Sequence, residues 1–212
     1  TGLAASTSAA QGLPRFGAPE PHVKAELIAA RDAVVAGQPL QVGVRLTHDD
    51  EWHTYWQVPG DSGLPTQINW SLPAAIVAGP IEWPHPHRLP AGPLVNFGYE
   101  GDTLLLTTLQ MPANLTGSAV TLNAKAEWLE CKDVCIPGSA DLKLTLPVKG
   151  QAAPSALAAS FAEARKHLSR ALEQLHLPDL YLAFGCAERD EAAVRALDKV
   201  LNTVAGAIRS VD

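Results

Sequence analysis

Two cysteines, Cys131 and Cys135, stand four positions apart in the run Trp128-Leu129-Glu130-Cys131-Lys132-Asp133-Val134-Cys135-Ile136-Pro137. Thiols at this spacing can close a small disulfide loop or grip a metal ion, and little else in the chain looks reactive. A disulfide in so short a loop gains less chain-entropy stabilisation than one closing a long loop. A pair placed for stability alone more usually joins distant strands. A tight pair suits thiol–disulfide exchange, in which a thiolate attacks a disulfide sulfur through a mixed disulfide. The spacing by itself leaves three readings open: redox pair, structural staple and metal grip. Lys132 favours thiolate while Glu130 and Asp133 oppose it, and no dedicated proton acceptor stands out. The third cysteine, Cys186, reads as a buried small apolar residue.

Two rivals compete with the redox reading. Cys131, Cys135, His85 and His87 could offer soft and imidazole ligands to copper or zinc. Against this, His85-Pro86-His87 reads as a rigid, solvent-exposed turn, so no metal or other cofactor is assigned. The other rival is a non-catalytic binding module stapled by a structural disulfide. A serine hydrolase finds no support, because no G-x-S-x-G elbow occurs.

The elements that must position the pair are mostly strands. The 212 residues are 47% hydrophobic and 18% charged, which fits a globular chain. The net charge of −6 and the lack of any Lys/Arg run argue against a nucleic-acid partner. No apolar run approaches the roughly 20 residues that would span a bilayer. Residues 1–20 read as a flexible leader, Ala/Ser/Thr-rich at its start, as in a mature chain whose signal peptide has been removed. From His22 to Val148 apolar and polar residues alternate with period two: Leu40, Val42, Val44, Leu46; Ile68, Trp70; Val120, Leu122, Ala124, Ala126, Trp128; Leu142, Leu144, Leu146, Val148. Leu104 to Met111 is more continuously apolar. Turn signals at Ala36-Gly37-Gln38-Pro39, Pro59-Gly60-Asp61-Ser62-Gly63, Asn114-Leu115-Thr116-Gly117 and Pro137-Gly138 separate the runs. The fold class is mainly β: an immunoglobulin-like antiparallel sandwich over 21–150, followed by a helical segment over 151–212. In that segment Leu157, Phe161, Ala164, Leu168, Leu172 and Leu175 recur at helical spacing, and Val194 to Ile208 marks a second amphipathic helix. Two helices bury too little to stand alone and should pack on the sandwich or on a partner chain.

Three stretches together are richer than a plain sandwich requires: WHTYWQVPGDSGLPT from Trp52, WPHPHRLPAGPLVNFGYEGDTLLL from Trp83, and WLECKDVCIPGSADLKLTLPV from Trp128. In this order they resemble the N-terminal periplasmic domain of the DsbD family of thiol:disulfide interchange proteins, and most nearly its ScsB-type branch. The resemblance covers roughly residues 20–150. It implies an immunoglobulin-like domain with one redox cysteine pair and protein-disulfide reductase activity. Electrons would come from the family's membrane domain through a thioredoxin-like domain and pass to periplasmic thioredoxin-like disulfide proteins. It implies that Cys135 forms the mixed disulfides and Cys131 resolves them. It further implies that Phe97, supported by Tyr99, lies in a loop that caps the pair, and that His53 and Tyr55 line the site. The best-known members have five residues between the cysteines, whereas this chain has three, as the ScsB-like branch does.

Overall fold

The computed structural model describes residues 21–73 and 75–174. The expected leader, Cys186 and the second helix lie outside the described residues.

Ten strands precede one helix: β1 (Val23–Ala29), β2 (Leu40–His48), β3 (Thr54–Gly60), β4 (Gln67–Ser71), β5 (Val77–Glu82), β6 (His87–Ala91), β7 (Leu94–Tyr99), β8 (Asp102–Gln110), β9 (Ala119–Cys131), β10 (Cys135–Pro147) and α1 (Ala158–Gln174). They form a four-stranded sheet in the order β1-β2-β8-β5 and two three-stranded sheets, β10-β9-β4 and β3-β7-β6. Every strand pair is antiparallel. The first two sheets enclose one core, an immunoglobulin-like β-sandwich. Val42, Val44, Leu46, Leu105 and Leu109 come from one sheet; Val120, Leu122, Ala126, Trp128 and Leu146 come from the other. Alternation on β2 and β9 therefore means what period two implies, with one face buried and the other turned away from the core.

The unbroken apolar run of β8 has a different cause. Leu105 faces the sandwich core, whereas Leu104 and Leu106 face outward and are covered by α1 through Phe161 and Ala164, together with Ile28 of β1. A strand buried on both faces loses its alternation. Ser155 fixes where the helix begins. Its hydroxyl donates to the Ala29 carbonyl at 2.7 Å and accepts the Leu157 N–H at 3.2 Å, so one side chain both caps the first turn and ties the connection to β1. Phe161 is fully buried. Its burial contributes about 2–3 kcal/mol to holding α1 against the sheet.

The third sheet corrects one expectation. The segment carrying Phe97 and Tyr99 is a strand, not a loop: β7 pairs with β6 and with β3. Gly98 permits the close approach, since a Cβ there would sit 2.0 Å from the Thr54 carbonyl oxygen.

Candidate redox site

The longest hairpin among the described residues ends in the cysteines. β9 and β10 pair in continuous register from Ala119↔Pro147 to Cys131↔Cys135, so Pro137-Gly138, expected to be a turn, lies within β10 opposite Leu129 and Trp128. Gly138 is there because a Cβ would sit 2.3 Å from the Trp128 indole. Lys132 to Val134 make the turn, closed by the Lys132 N–H donating to the Val134 carbonyl at 3.1 Å. Across this tip Cys131 and Cys135 form a disulfide, S–S 2.08 Å. The two sulfurs are not equivalent. Cys131 is 2% exposed, whereas Cys135 is exposed.

Cys131 is held by its backbone. Its N–H donates to the His53 carbonyl at 3.0 Å and its carbonyl accepts the His53 N–H at 2.9 Å. This bridge brings the start of β3 to the disulfide. Two residues on, the Tyr55 hydroxyl lies 3.9 Å from Cys135 Sγ, and His53 Nε2 lies 3.4 Å from that hydroxyl. The two rings meet edge to face, with centroids 5.3 Å apart. Tyr55 is itself buried beneath the loop that follows β3. A Cβ on Gly63 would lie 2.3 Å from the tyrosine ring, and Gly63 has φ +96°, so only glycine lets the chain cross there.

Burial sets the electrostatics. Desolvation pushes the His53 pKa below the usual imidazole value, with Glu100 opposing and His48 adding to the shift. It pushes the Tyr55 phenol up. The acid groups that the sequence set against the thiolate divide in two. Glu130 is 1% exposed and lies on the strand face opposite Cys131. Its carboxylate accepts the Trp128 indole N–H at 2.9 Å and the His22 backbone N–H at 3.1 Å, and so anchors the tip from within the sandwich. Lys132 is paired with Glu51, which raises the pKa of the lysine; Asp133 and Asp50 face it as well.

A buried histidine absent from the sequence reading braces this end. His48 Nδ1 donates to the Gly101 carbonyl at 2.6 Å, and its Nε2 accepts from the Thr54 hydroxyl at 2.9 Å. One imidazole thus joins β2, the turn between β7 and β8, and β3. Nothing local in the sequence marks it, because its partners are 6 and 53 residues away.

The structure brings Cys131, Cys135, His53 and Tyr55 together. Phe97 is half-buried on β7, one residue from Gly98, which pairs with Tyr55. Tyr99, expected to support a cap, is a core residue: it is 3% exposed and its hydroxyl donates to the Pro84 carbonyl at 2.8 Å. The metal donors do not assemble. His85 and His87 line a cavity of about 300 Å³ against α1, shared with Tyr99 and His167. Among the described residues no group of three or more His, Cys, Asp or Glu side chains could hold a metal ion.

With this geometry in place, comparison with known proteins is direct. Residues 24–147, more than half of the chain, match the family described as thiol:disulfide interchange protein DsbD, N-terminal. The chain belongs to the DsbD N-terminal family. Its structure is similar to the crystal structure of the N-terminal periplasmic domain of ScsB from Proteus mirabilis, with TM-score 0.53 and 19% identity over 72% of this chain and 57% of that one. At that identity the likeness shows the shared fold, and the chain spans 57% of that structure's length. It also matches the Neisseria meningitidis DsbD N-terminal domain in the reduced form, at 14% identity and TM-score 0.33 over 63% of this chain and 96% of that one. No curated protein sequence matches the chain. Family membership and the cysteine pair identify a thiol:disulfide interchange module. Among the described residues, no helix of this DsbD-family chain is long and apolar enough to cross a membrane.

Proposed function

We propose that this module works in the periplasm as a protein-disulfide reductase within an electron relay. It receives electrons from the membrane domain of a family protein, or from a thioredoxin-like donor, and passes them to thioredoxin-like disulfide proteins. The observation that carries the proposal is the unequal disulfide, with an exposed Cys135 joined to a buried Cys131 at the tip of a hairpin. In the loading half-reaction a donor thiolate attacks Cys135 Sγ, the Cys131–Cys135 bond breaks, and Cys131 leaves with the electron pair. The donor's second thiolate then attacks the donor sulfur of the mixed disulfide, and Cys135 leaves as thiolate. In the delivering half-reaction the Cys135 thiolate attacks an acceptor disulfide. Cys131 then attacks Cys135, re-forming the disulfide and releasing the reduced acceptor. Two electrons move in each direction.

Exposed apolar residues border the reactive sulfur. Val134 in the turn is 61% exposed, and Leu64, next to the glycine that covers Tyr55, is 64% exposed. Exposed apolar surface beside a reactive group suits transient docking of another protein. Phe97, placed beside the Tyr55 pairing, acts as the shield that limits reaction with small thiols.

The test is a trapping experiment with the full chain. Cys131→Ser, incubated with an oxidised thioredoxin-like protein, should accumulate a mixed disulfide through Cys135, whereas Cys135→Ser should accumulate none. Failure of Cys131→Ser to form the adduct, together with a wild-type reduction potential below about −300 mV, would make the bond a structural staple.

A further inference from the structure

We propose that Tyr55 and His53 form a proton relay for Cys135, with the Tyr55 hydroxyl as the catalytic group touching the sulfur and His53 Nε2 as the proton acceptor acting through it. The inference rests on the exchange function proposed above, and concerns how the delivering thiolate is made.

Only the thiolate attacks a disulfide, so the reduced Cys135 must release a proton before it can deliver electrons. The one ammonium of the turn is already engaged: Lys132 is held by Glu51, and Asp133 and Asp50 act on it as well. A specific partner for the proton would favour the thiolate.

The side chains of β3 supply one. Cys135 Sγ, the Tyr55 hydroxyl and His53 Nε2 follow one another at 3.9 and 3.4 Å, a hydrogen-bonding reach for sulfur followed by a long oxygen–nitrogen contact. Such contacts tighten when a partner closes over the site. In the thiol state the S–H donates to the tyrosine oxygen, and the tyrosine O–H donates to a neutral Nε2 whose proton sits on Nδ1. Transfer moves the thiol proton onto the tyrosine oxygen and the tyrosine proton onto Nε2. What remains is a Cys135 thiolate accepting from the Tyr55 O–H, which in turn accepts from the His53 imidazolium. No bond other than these proton bonds changes, and tyrosine ends as it began. Burial keeps Tyr55 protonated, so it conducts the proton without holding it. Burial also lowers the His53 pKa, which leaves the ring neutral before transfer but disfavours the imidazolium that the transfer makes. The groups facing His53 are Tyr55, His48 and Glu100, with Glu100 favouring the imidazolium. The disulfide's own strand holds the relay in place through the two His53–Cys131 backbone hydrogen bonds, which do not depend on the histidine side chain.

The test measures Cys135 alkylation in the 212-residue Cys131→Ser chain between about pH 5 and 10, peptide by peptide, so that Cys186 does not confuse the reading. His53→Gln keeps a hydrogen-bonding group but cannot take a proton. It should move the rate profile to higher pH by about one unit, slowing reaction near pH 7 by about tenfold and leaving the high-pH plateau unchanged. Tyr55→Phe, which preserves the ring beneath Gly63, should give the same shift, and the double variant no more than either alone. A profile unmoved by either substitution, or shifts that add, would overturn the relay. Should His53→Gln fail to fold, Tyr55→Phe decides the matter alone. If wild-type protein exchanges with a thioredoxin-like partner while these profiles stay still, only the relay falls. If wild-type protein does not exchange at all, the proposed function falls.

Discussion

At the scale of single residues, the site depends on unequal exposure. Both cysteines belong to one hairpin pair, yet one residue is buried and the other exposed. Strand alternation alone does not produce this difference: the backbone of Cys131 is bridged to His53, while Cys135 meets the Tyr55 hydroxyl at 3.9 Å. Phe97 belongs to the same argument. If its half-buried ring shields the pair, Phe97→Ala should speed the reaction of the reduced chain with a small disulfide reagent severalfold and change the thermal midpoint little. Stopped-flow rates with wild type and variant decide this, and equal rates would leave Phe97 a packing residue.

At the scale of elements, the small sheet β3-β7-β6 is held to the sandwich by buried polar contacts as well as by apolar packing. His48 is central to that attachment, and its burial carries a pH dependence. Desolvation lowers its folded pKa, although Gly101, Glu100, Glu130 and Asp102 oppose the shift. Between the folded pKa and the unfolded value of about 6.5, the unfolded chain binds more protons than the folded one, so stability rises with pH in that window. It should therefore be lost progressively as pH falls below about 6.5. His48→Gln can donate to Gly101 and accept from Thr54 without titrating. Its urea midpoint should fall less between pH 7.5 and 5.5 than that of wild type. Parallel curves would exclude His48 as the source. A second element-scale prediction concerns α1. Phe161→Ala removes a fully buried ring from the cluster over Leu104 and Leu106, and should cost about 3–5 kcal/mol or detach the helix. Denaturant unfolding followed by far-UV circular dichroism measures which occurs.

At the scale of the whole molecule, reactivity and scaffolding separate. The disulfide lies at the tip of β9–β10, whereas α1 packs on β8 in the other sheet. A chain cut after Gly150 should keep disulfide exchange at the pair but lose solubility, because Ile28, Leu104 and Leu106 lose their cover. Assaying that shortened chain with a thioredoxin-like donor checks the division; folded protein that no longer exchanges would join the helical segment to the site. Much of this plan was legible in the sequence. Period-two alternation in Val42, Val44 and Leu46, and from Val120 to Trp128, needs only a local pattern to declare a half-buried strand. The helical spacing of Leu157, Phe161 and Ala164 declares a face that must be covered. The three aromatic-rich stretches pointed to the chemistry through their resemblance to the DsbD N-terminal domain, whereas the cysteine spacing alone left redox, staple and metal readings open. What lay out of reach depended on contacts between residues far apart in sequence. The expected loop at Phe97 is a strand because β3 and β6 supply its hydrogen bonds. Tyr99 is core because the Pro84 carbonyl receives its hydroxyl, and Glu130 is an inward anchor because His22, 108 residues away, donates to it. The sequence by itself determined which residues could react and which faces must be buried, since both follow from side-chain type and local period. Only the tertiary structure decided which sulfur meets solvent and which side chains stand beside it, because exposure and distance are set by segments that meet through folding alone.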